Sequence, residues 1–421
     1  MTEAFPTEAE VVIIGGGVIG TACAFQLSEL GVTDVVVLER DRLGCGTSWH
    51  AAGNIPLMDH TPDIVYLNQL AANLYETFNS EQPIGWRRCG RVMLARTDSR
   101  LAEFKTLINA AKEVGVEAHL ISPQDIQEML PLFRTDDLVG GLWSPDDGRV
   151  NPTDLISIYA SKARASGVHI REQITANNVS ISHGEVCAVE TSEGIIKCET
   201  VVNCAGLWSR PLGLCNKINI PVYPVEHFYL LSEPIAGLTP DMPTFRDPDS
   251  LIYGREEVGG LLLGCFDREA KPISPSMLPA DFSFSLLNED WDQFQPYMER
   301  GLHLIPALAK AGIKILLNGP ECFTPDNLPI FDEVAGVKGY FVLTGMSSAG
   351  ILRSAGMAML LAEWICNGKP TIDVSRFSLD RFQPEHNDEE WLRERIRHAP
   401  SGHFLVHEDR ECESLRARQI H

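Results

Sequence analysis

Residues 11–39 read VVIIGGGVIGTACAFQLSELGVTDVVVLE, and this stretch decides the fold. Its first four residues form a short apolar run rich in β-branched side chains, the composition of a strand buried on both faces. GGGVIG follows, then small and apolar residues over 21–30 in a helical pattern, with Gly31 placed to end the helix. Residues 35–38, VVVL, make a second buried strand that ends at Glu39. The whole is a β-α-β unit of about 30 residues, the size such a unit requires. Gly15, Gly17 and Gly20 give G-x-G-x-x-G between strand and helix. Gly15 permits the tight turn, Gly17 lets the backbone approach a pyrophosphate, and Gly20 lets the helix pack close to the strand. The helix N-terminus presents free N–H groups and a positive dipole end to phosphates. Glu39, at the end of the second strand, is placed to accept hydrogen bonds from ribose hydroxyls. The glycines alone also suit a tight turn with no ligand. Strand, glycines, helix, strand and terminal acid in that order point to a dinucleotide. The acid disfavours a 2′-phosphate and so NADP; NAD and FAD stay open.

The rest of the composition bounds the answer. At roughly 100–200 residues per domain, 421 residues allow two or three domains. Apolar residues make up 44% and charged residues 22%, the balance of a globular protein rather than a disordered chain, a collagen or a coiled coil. The net charge of −22 argues against binding nucleic acid or an anionic membrane. No apolar run approaches the length of a membrane span. The opening MTEAFPTEAE is acidic and resembles neither a secretory signal nor an Arg-rich transit peptide. Eleven cysteines without a CxxC pair suit reduced thiols and support neither a disulfide framework nor a zinc site. A cytoplasmic location with no metal is the expectation.

Further along, 99–114 and 153–166 read as helices, and 90–95, 178–190 and 195–204 as strands, some joined by glycine turns such as 182–185. Residues 257–264 suit a strand of a second sheet. The Pro-rich stretches 221–248 and 270–279 read as loops. The tail from Gln383 is polar and shows no core of its own.

Residues 44–53, GCGTSWHAAG, offer small residues and hydroxyls that let a loop pass under a pyrophosphate and a flavin ring. Trp49 and His50 stand out there, although a lone loop histidine is usually just hydrogen-bonded. Residues 38–54, LERDRLGCGTSWHAAGN, resemble the start of the dimethylglycine and sarcosine dehydrogenases, in the D-amino-acid-oxidase-like group of FAD amine oxidoreductases. The resemblance extends over nearly the whole chain. It includes 140–155, GGLWSPDDGRVNPTDL, and 201–208, VVNCAGLW, a late buried strand with a glycine turn beside the cofactor. It also includes 318–329, NGPECFTPDNLP, and 345–350, GMSSAG, two loops flanking the flavin ring. GMSSAG precedes a helical pattern through Trp364, so its N–H groups would face the flavin pyrimidine oxygens and stabilise negative charge on the reduced ring.

The resemblance implies an α/β fold. A Rossmann-type FAD-binding domain would take 1–85, 145–215 and 315–385. A second α+β substrate domain on a mixed or antiparallel sheet would take 86–144 and 216–314, leaving a C-terminal tail at 386–421. It implies FAD held by Gly15, Gly17, Gly20, Glu39, Arg40, Thr47, Ser48, Val179 (beside adenine), Ala205, Gly206, Trp208, Gly345, Met346 and Ser347, and attached covalently through His50.

Within PVYPVEHFYLL (221–231) and LIYGREEVGGLLLG (251–264), the resemblance places His227 and Tyr253 in the active site. Taken alone, they read as a core histidine and a packing aromatic. The implied reaction is oxidative demethylation of an N-methyl amino acid, such as dimethylglycine or sarcosine, with release of formaldehyde. Such an amine is protonated in water, and its lone pair must be free before hydride leaves the adjacent carbon. The site must therefore favour the neutral amine, with His227 accepting or relaying the proton and Tyr253 orienting the nitrogen. The substrate carboxylate calls for a bidentate arginine. Arg255 shares a strand face with Tyr253 by period two, and Arg353 lies in GILRSAG just after the flavin loop. The folate-binding aminomethyltransferase half found in several relatives would begin about where this chain stops. The one-carbon unit is thus expected to leave as formaldehyde or to pass to a separate folate-binding partner. Electrons would pass to oxygen or to an electron-transfer protein. The alternatives on the same fold are an oxidase of a primary or cyclic amino acid and a non-catalytic regulatory subunit.

Overall fold

Strand Val11–Ile14 lies inside a six-stranded sheet, and its side chains explain why. Val11 and Ile13 point into a core built with the helices, while Val12 and Ile14 point into a second core on the opposite face. A strand covered on both sides has no polar face to show, hence the unbroken apolar run. This structure is a computed structural model and describes residues 5–404. The sheet runs in the order Ile330–Glu333, Tyr340–Thr344, Thr200–Asn203, Val11–Ile14, Val35–Leu38, His169–Arg171, parallel except for its first pair. Helices Val18–Glu29, Pro62–Glu81, Pro152–Ala165 and Gly350–Asn367 cover one face. A three-stranded antiparallel meander, Ala176–Ser182, Glu185–Thr191 and Ile195–Lys197, covers the other. Its first turn has positive φ at His183 and Gly184, as a tight hairpin needs.

The second sheet has eight strands, in the order Ile313–Phe323, Tyr223–Ser232, Gly260–Cys265, Ile252–Glu257, Thr244–Asp247, Arg91–Ala95, Gly140–Ser144, His119–Ile121. Only the pair of Thr244–Asp247 with Arg91–Ala95 is parallel. Helix Trp291–Leu304 packs Phe294 and Tyr297 beneath it, against Phe228, Leu230 and Leu263. The structure is thus α/β, with a Rossmann-type parallel sheet and a mixed second sheet.

Three expectations need correction. The Pro-rich stretch 221–248 is not a loop: it contains the ten-residue strand Tyr223–Ser232 and the strand Thr244–Asp247. Pro224 sits near the strand end, where a missing N–H is tolerated. The strand is held by pairing on both sides, with Ile313–Phe323 and Gly260–Cys265. The border expected at 315 falls inside strand Ile313–Phe323, which pairs with Tyr223–Ser232 along its length and belongs to the second sheet. The tail is not detached up to residue 404. Helix Glu389–Arg397 buries Leu392 and Ile396 against Tyr223, Val225 and Phe323, and Phe404 enters the core of the second sheet. The remainder of the expected tail, 405–421, lies outside the described residues.

Among the described residues no helix is long and apolar enough to cross a membrane, every cysteine is a free thiol, and no His, Cys, Asp and Glu cluster could hold a metal ion.

Candidate active site

The two sheets enclose a cavity of about 940 Å³. Its floor begins at the glycine turn. Gly15 has φ +111°, and a Cβ there would lie 2.4 Å from the Cys204 carbonyl oxygen. A Cβ on Gly20 would lie 1.9 Å from the Gly15 oxygen, so only glycine lets helix Val18–Glu29 press onto its strand. Gly15 and Gly17 line the cavity, whereas Gly20 supports it from behind. The helix N-cap, Gly17, supplies no side-chain cap; the Val18 amide donates to Ser48 Oγ at 3.1 Å. Glu39 is buried at the cavity edge, and its carboxylate accepts the amides of Gly16 (2.9 Å) and Asp41 (3.0 Å). The terminal acid therefore braces the glycine turn as well as facing the cavity. Arg40 lies 3.6 Å over the Trp208 ring, and both line the cavity with Thr47, Ser48, Ala205 and Gly206.

His50 ends the short helical turn Ser48–His50 and is buried against the backbone of Gly319. Its Nε2 has no hydrogen-bond partner, and burial pushes its pKa down to about 4. It is a neutral imidazole with a free ring nitrogen. Opposite, Gly345, Met346 and Ser347 line the cavity in a turn with positive φ at Gly345, Ser347 and Ser348. This turn leads into helix Gly350–Asn367, whose N-cap Ala349 provides no side-chain acceptor. Two helix N-termini whose own N-cap residues offer no side-chain acceptor thus face one cavity.

The second sheet supplies the roof. Its register sets Met93 opposite Arg246, Arg246 opposite Tyr253, Tyr253 opposite Gly264, Gly264 opposite Tyr229 and Tyr229 opposite Leu317. Every member of that row except Gly264 lines the cavity, and Gly264 leaves room for the Tyr253 ring above it. His227, opposite Gly319, stands against Phe266 with ring centroids 5.1 Å apart; Phe266 also meets Tyr253 at 5.5 Å. Burial, with His50 nearby, pushes the His227 pKa down to about 3, and burial holds the Tyr253 phenol well above its ordinary range. Both are neutral around pH 7. Nε2 of His227 makes no hydrogen bond and lies 3.6 Å from a Glu321 carboxylate oxygen.

Arg353 also lines the cavity. Its Nη2 lies 3.9 Å from Asp59, while Nε and Nη1 are buried without hydrogen-bond partners. Arg255 and Val179 do not line it. Arg255 shares the strand face of Tyr253, but it ion-pairs with Glu257 and donates to the carbonyls of Ala52 (2.8 Å) and Glu256 (3.0 Å). Those contacts occupy it, so it is corrected from candidate carboxylate ligand to structural arginine. Val179 is buried in the core under the meander; Ala176 and Asn177 of the same strand reach the cavity instead.

Sequence reasoning missed Glu321, Phe266, Arg246 and the C-terminal residues His403 and Phe404, all of which line the cavity. Phe404 packs on Phe266 at 4.8 Å and lies under the Arg246 guanidinium at 4.0 Å; its carbonyl accepts Arg100 Nη2 at 2.8 Å. Glu321 stood within the quoted motif NGPECFTPDNLP, but nothing local marks that acid as buried. Phe404 was one aromatic in a polar tail, and such a tail carries no periodic signal.

Residues 10–364 match a family model described as FAD dependent oxidoreductase, and residues 367–420 match one described as FAD dependent oxidoreductase central domain. The chain is 38% identical over 398 residues to the mitochondrial pyruvate dehydrogenase phosphatase regulatory subunit of Mus musculus, covering 93% of this chain and 45% of that protein. It is 33% identical over 421 residues to mitochondrial sarcosine dehydrogenase of Mus musculus, covering 96% of this chain and 45% of the relative. The chain thus spans about half the length of the curated relatives it matches. In fold it is similar to the crystal structure of L-proline dehydrogenase from P. horikoshii, with a TM-score of 0.81, 24% identity, and coverage of 89% of this chain and 97% of that one.

Proposed function

Because the chain belongs to the FAD-dependent oxidoreductase family, we propose that it carries FAD covalently on His50 and oxidatively demethylates an N-methyl amino acid of the dimethylglycine or sarcosine kind. One observation carries the proposal: the glycine turn, the free Nε2 of His50, and the pair His227 and Tyr253 on the opposite sheet all open into one cavity. The residues fit FAD. The cradle at Gly15 and Gly17, the helix N-terminus behind it and buried Glu39 suit the dinucleotide end. The turn at 345–350, the N-terminus of helix Gly350–Asn367 and His50 suit the ring end. Gly15, Gly17, Glu39, Arg40, Thr47, Ser48, Ala205, Gly206, Trp208, Gly345, Met346 and Ser347 would hold the group.

When bound, FAD supplies the two-electron acceptor for the methyl carbon. The chain supplies the rest. The Arg353 guanidinium, whose Nε and Nη1 have no hydrogen-bond partner and whose Nη2 lies 3.9 Å from Asp59, holds the substrate carboxylate by one edge, Nη2 with either Nε or Nη1. The Tyr253 hydroxyl, locked in its protonated form by burial, orients the amine. Neutral His227 offers Nε2 as a proton relay beside the substrate nitrogen. Phe266 and Phe404 exclude water around these groups, so the site disfavours a charged amine and leaves the lone pair free. The resulting iminium takes up water and releases formaldehyde. The final electron acceptor would be oxygen or an electron-transfer protein, and a separate folate-binding partner would be one recipient for the one-carbon unit.

The test is a stoichiometric one. Turnover of dimethylglycine or sarcosine is expected to give one formaldehyde per substrate consumed, whereas a flavin inert to both but reduced by a primary amino acid, with release of ammonia, would point to oxidation of a primary amine instead. A second reading has a specific observation behind it, the 38% identity to a regulatory subunit. It predicts a bound flavin that no N-methyl amino acid reduces.

A further inference from the structure

We propose that Glu321 is the acceptor of the proton that the substrate amine must lose, with His227 beside it as the relay. This inference rests on the demethylase reading above and deepens it. Glu321 lies on strand Ile313–Phe323, two residues beyond Gly319, and its side chain lines the cavity on the face that carries His227 and Tyr253. Its carboxylate oxygen stands 3.6 Å from His227 Nε2, too far for a hydrogen bond, and that nitrogen is buried with no partner of its own. The two groups face each other across a gap without bonding, and a substrate N–H placed at the gap finds an acceptor there.

Ser348, in the turn at 345–350, lies near the carboxylate and opposes part of the rise that burial causes. Among the described residues no lysine or arginine pairs with Glu321, so its charge when ionised has no resident counter-ion. An arriving ammonium group meets that need. The titratable groups around it are His227 on the neighbouring strand, Tyr253 across the sheet and Cys322 next in sequence, with His50 beyond His227. Arg353, Arg395 and His403 line the same cavity. Burial raises the Glu321 carboxyl to about 7, whereas His227 is held near 3 and Tyr253 far above neutrality. Of the three, only the carboxylate changes charge in the range where a general base is effective.

The step balances without any change of oxidation state. The N–H bond of the substrate ammonium breaks and its electron pair stays on nitrogen. An O–H bond forms on Glu321. A cation and an anion become a neutral amine and a neutral acid in a site that resists charge. The proton returns to water when the product leaves.

The experiment follows flavin reduction anaerobically in the flavin-loaded protein across the neutral pH range, using dimethylglycine and sarcosine. In the wild type the rate is expected to rise about ten-fold per pH unit up to a break near neutrality. Glu321→Gln is expected to lose the break and to be about 100-fold slower above it, with unchanged flavin content. Glu321→Asp, which keeps a carboxylate, should retain the break. A measurement on the wild type alone backs this up. Trimethylglycine, a fixed cation with no N–H, should bind about ten-fold more tightly per pH unit up to the same break, read from the flavin spectrum. A Glu321→Gln protein with the wild-type profile, or trimethylglycine binding that is flat with pH, overturns the role of Glu321 alone. A wild-type flavin that neither amine reduces overturns the demethylase reading and this inference with it.

Discussion

Gly319→Ala tests how the second sheet positions His50, the proposed flavin anchor. A Cβ at Gly319 would lie 2.4 Å from Cε1, 2.7 Å from Nδ1 and 2.9 Å from Nε2 of His50. Ordinary contact distances are about 3.5–4.0 Å, so the ring must withdraw by more than about 1 Å. The strand cannot yield instead, because Gly319 sits mid-ladder opposite His227. The overpacking is expected to cost roughly 1–3 kcal/mol, leaving a folded protein. The chemistry suffers more, since misplacing a reacting atom by about 1 Å costs on the order of 10²-fold in rate. The assay is acid precipitation: covalent flavin stays yellow in the pellet and free flavin goes to the supernatant. Gly319→Ala should fold but shift flavin to the supernatant, approaching His50→Ala, which should leave no covalent flavin. A Gly319→Ala protein with wild-type covalent flavin and an unchanged melting temperature would show that His50 does not depend on this contact.

Arg353→Ala should raise KM for the amino acid on the order of 10²-fold, the effect of removing one partner of a buried charge pair. kcat and flavin content should change little, and an unaltered KM would remove Arg353 from the carboxylate site. His227→Gln should blunt acid sensitivity. The His227 pKa falls from 6.5 to about 3 on folding, so the unfolded chain binds the extra proton between those values. Stability is thus fully present above the unfolded value and drains as pH falls; the melting temperature of the variant should drop less than that of the wild type between about pH 7 and pH 5. Parallel curves would contradict a neutral buried His227. Phe404→Ala should cost about 3–5 kcal/mol in a denaturant melt, as for other buried aromatics. A near-neutral effect would mean the C-terminal segment is not seated on Phe266.

The dinucleotide end was legible because its constraints are local. Gly20 is dictated by the Gly15 oxygen in the same β-α turn and Gly15 by the positive φ of that turn, although the Cys204 carbonyl that also crowds Gly15 is distant in sequence, and a strand buried on both faces must be apolar throughout. The roof was far less legible. The prolines in and around Tyr223–Ser232 suit a loop, and it is the pairing with Ile313–Phe323 and Gly260–Cys265, both distant in sequence, that makes it a strand. His227 and Tyr253 came from family resemblance, since a histidine or tyrosine in an apolar strand usually just packs. Arg255 had the right pleat parity but the wrong neighbour: Glu257, two residues on, captures its guanidinium. Glu321 shows the limit most clearly. Whether a carboxylate in a loop motif is solvated or buried beside a histidine depends on what folds over it, here the second sheet and the turn at 345–350.

The central claim, that this cavity oxidises an N-methyl amine, meets its most direct test in anaerobic absorbance of the purified flavoprotein. N-methyl amino acids are added one at a time while the visible flavin band is followed. The account predicts rapid bleaching by dimethylglycine or sarcosine, with one formaldehyde released per flavin reduced. A flavin that dithionite bleaches and none of these amines does would contradict it.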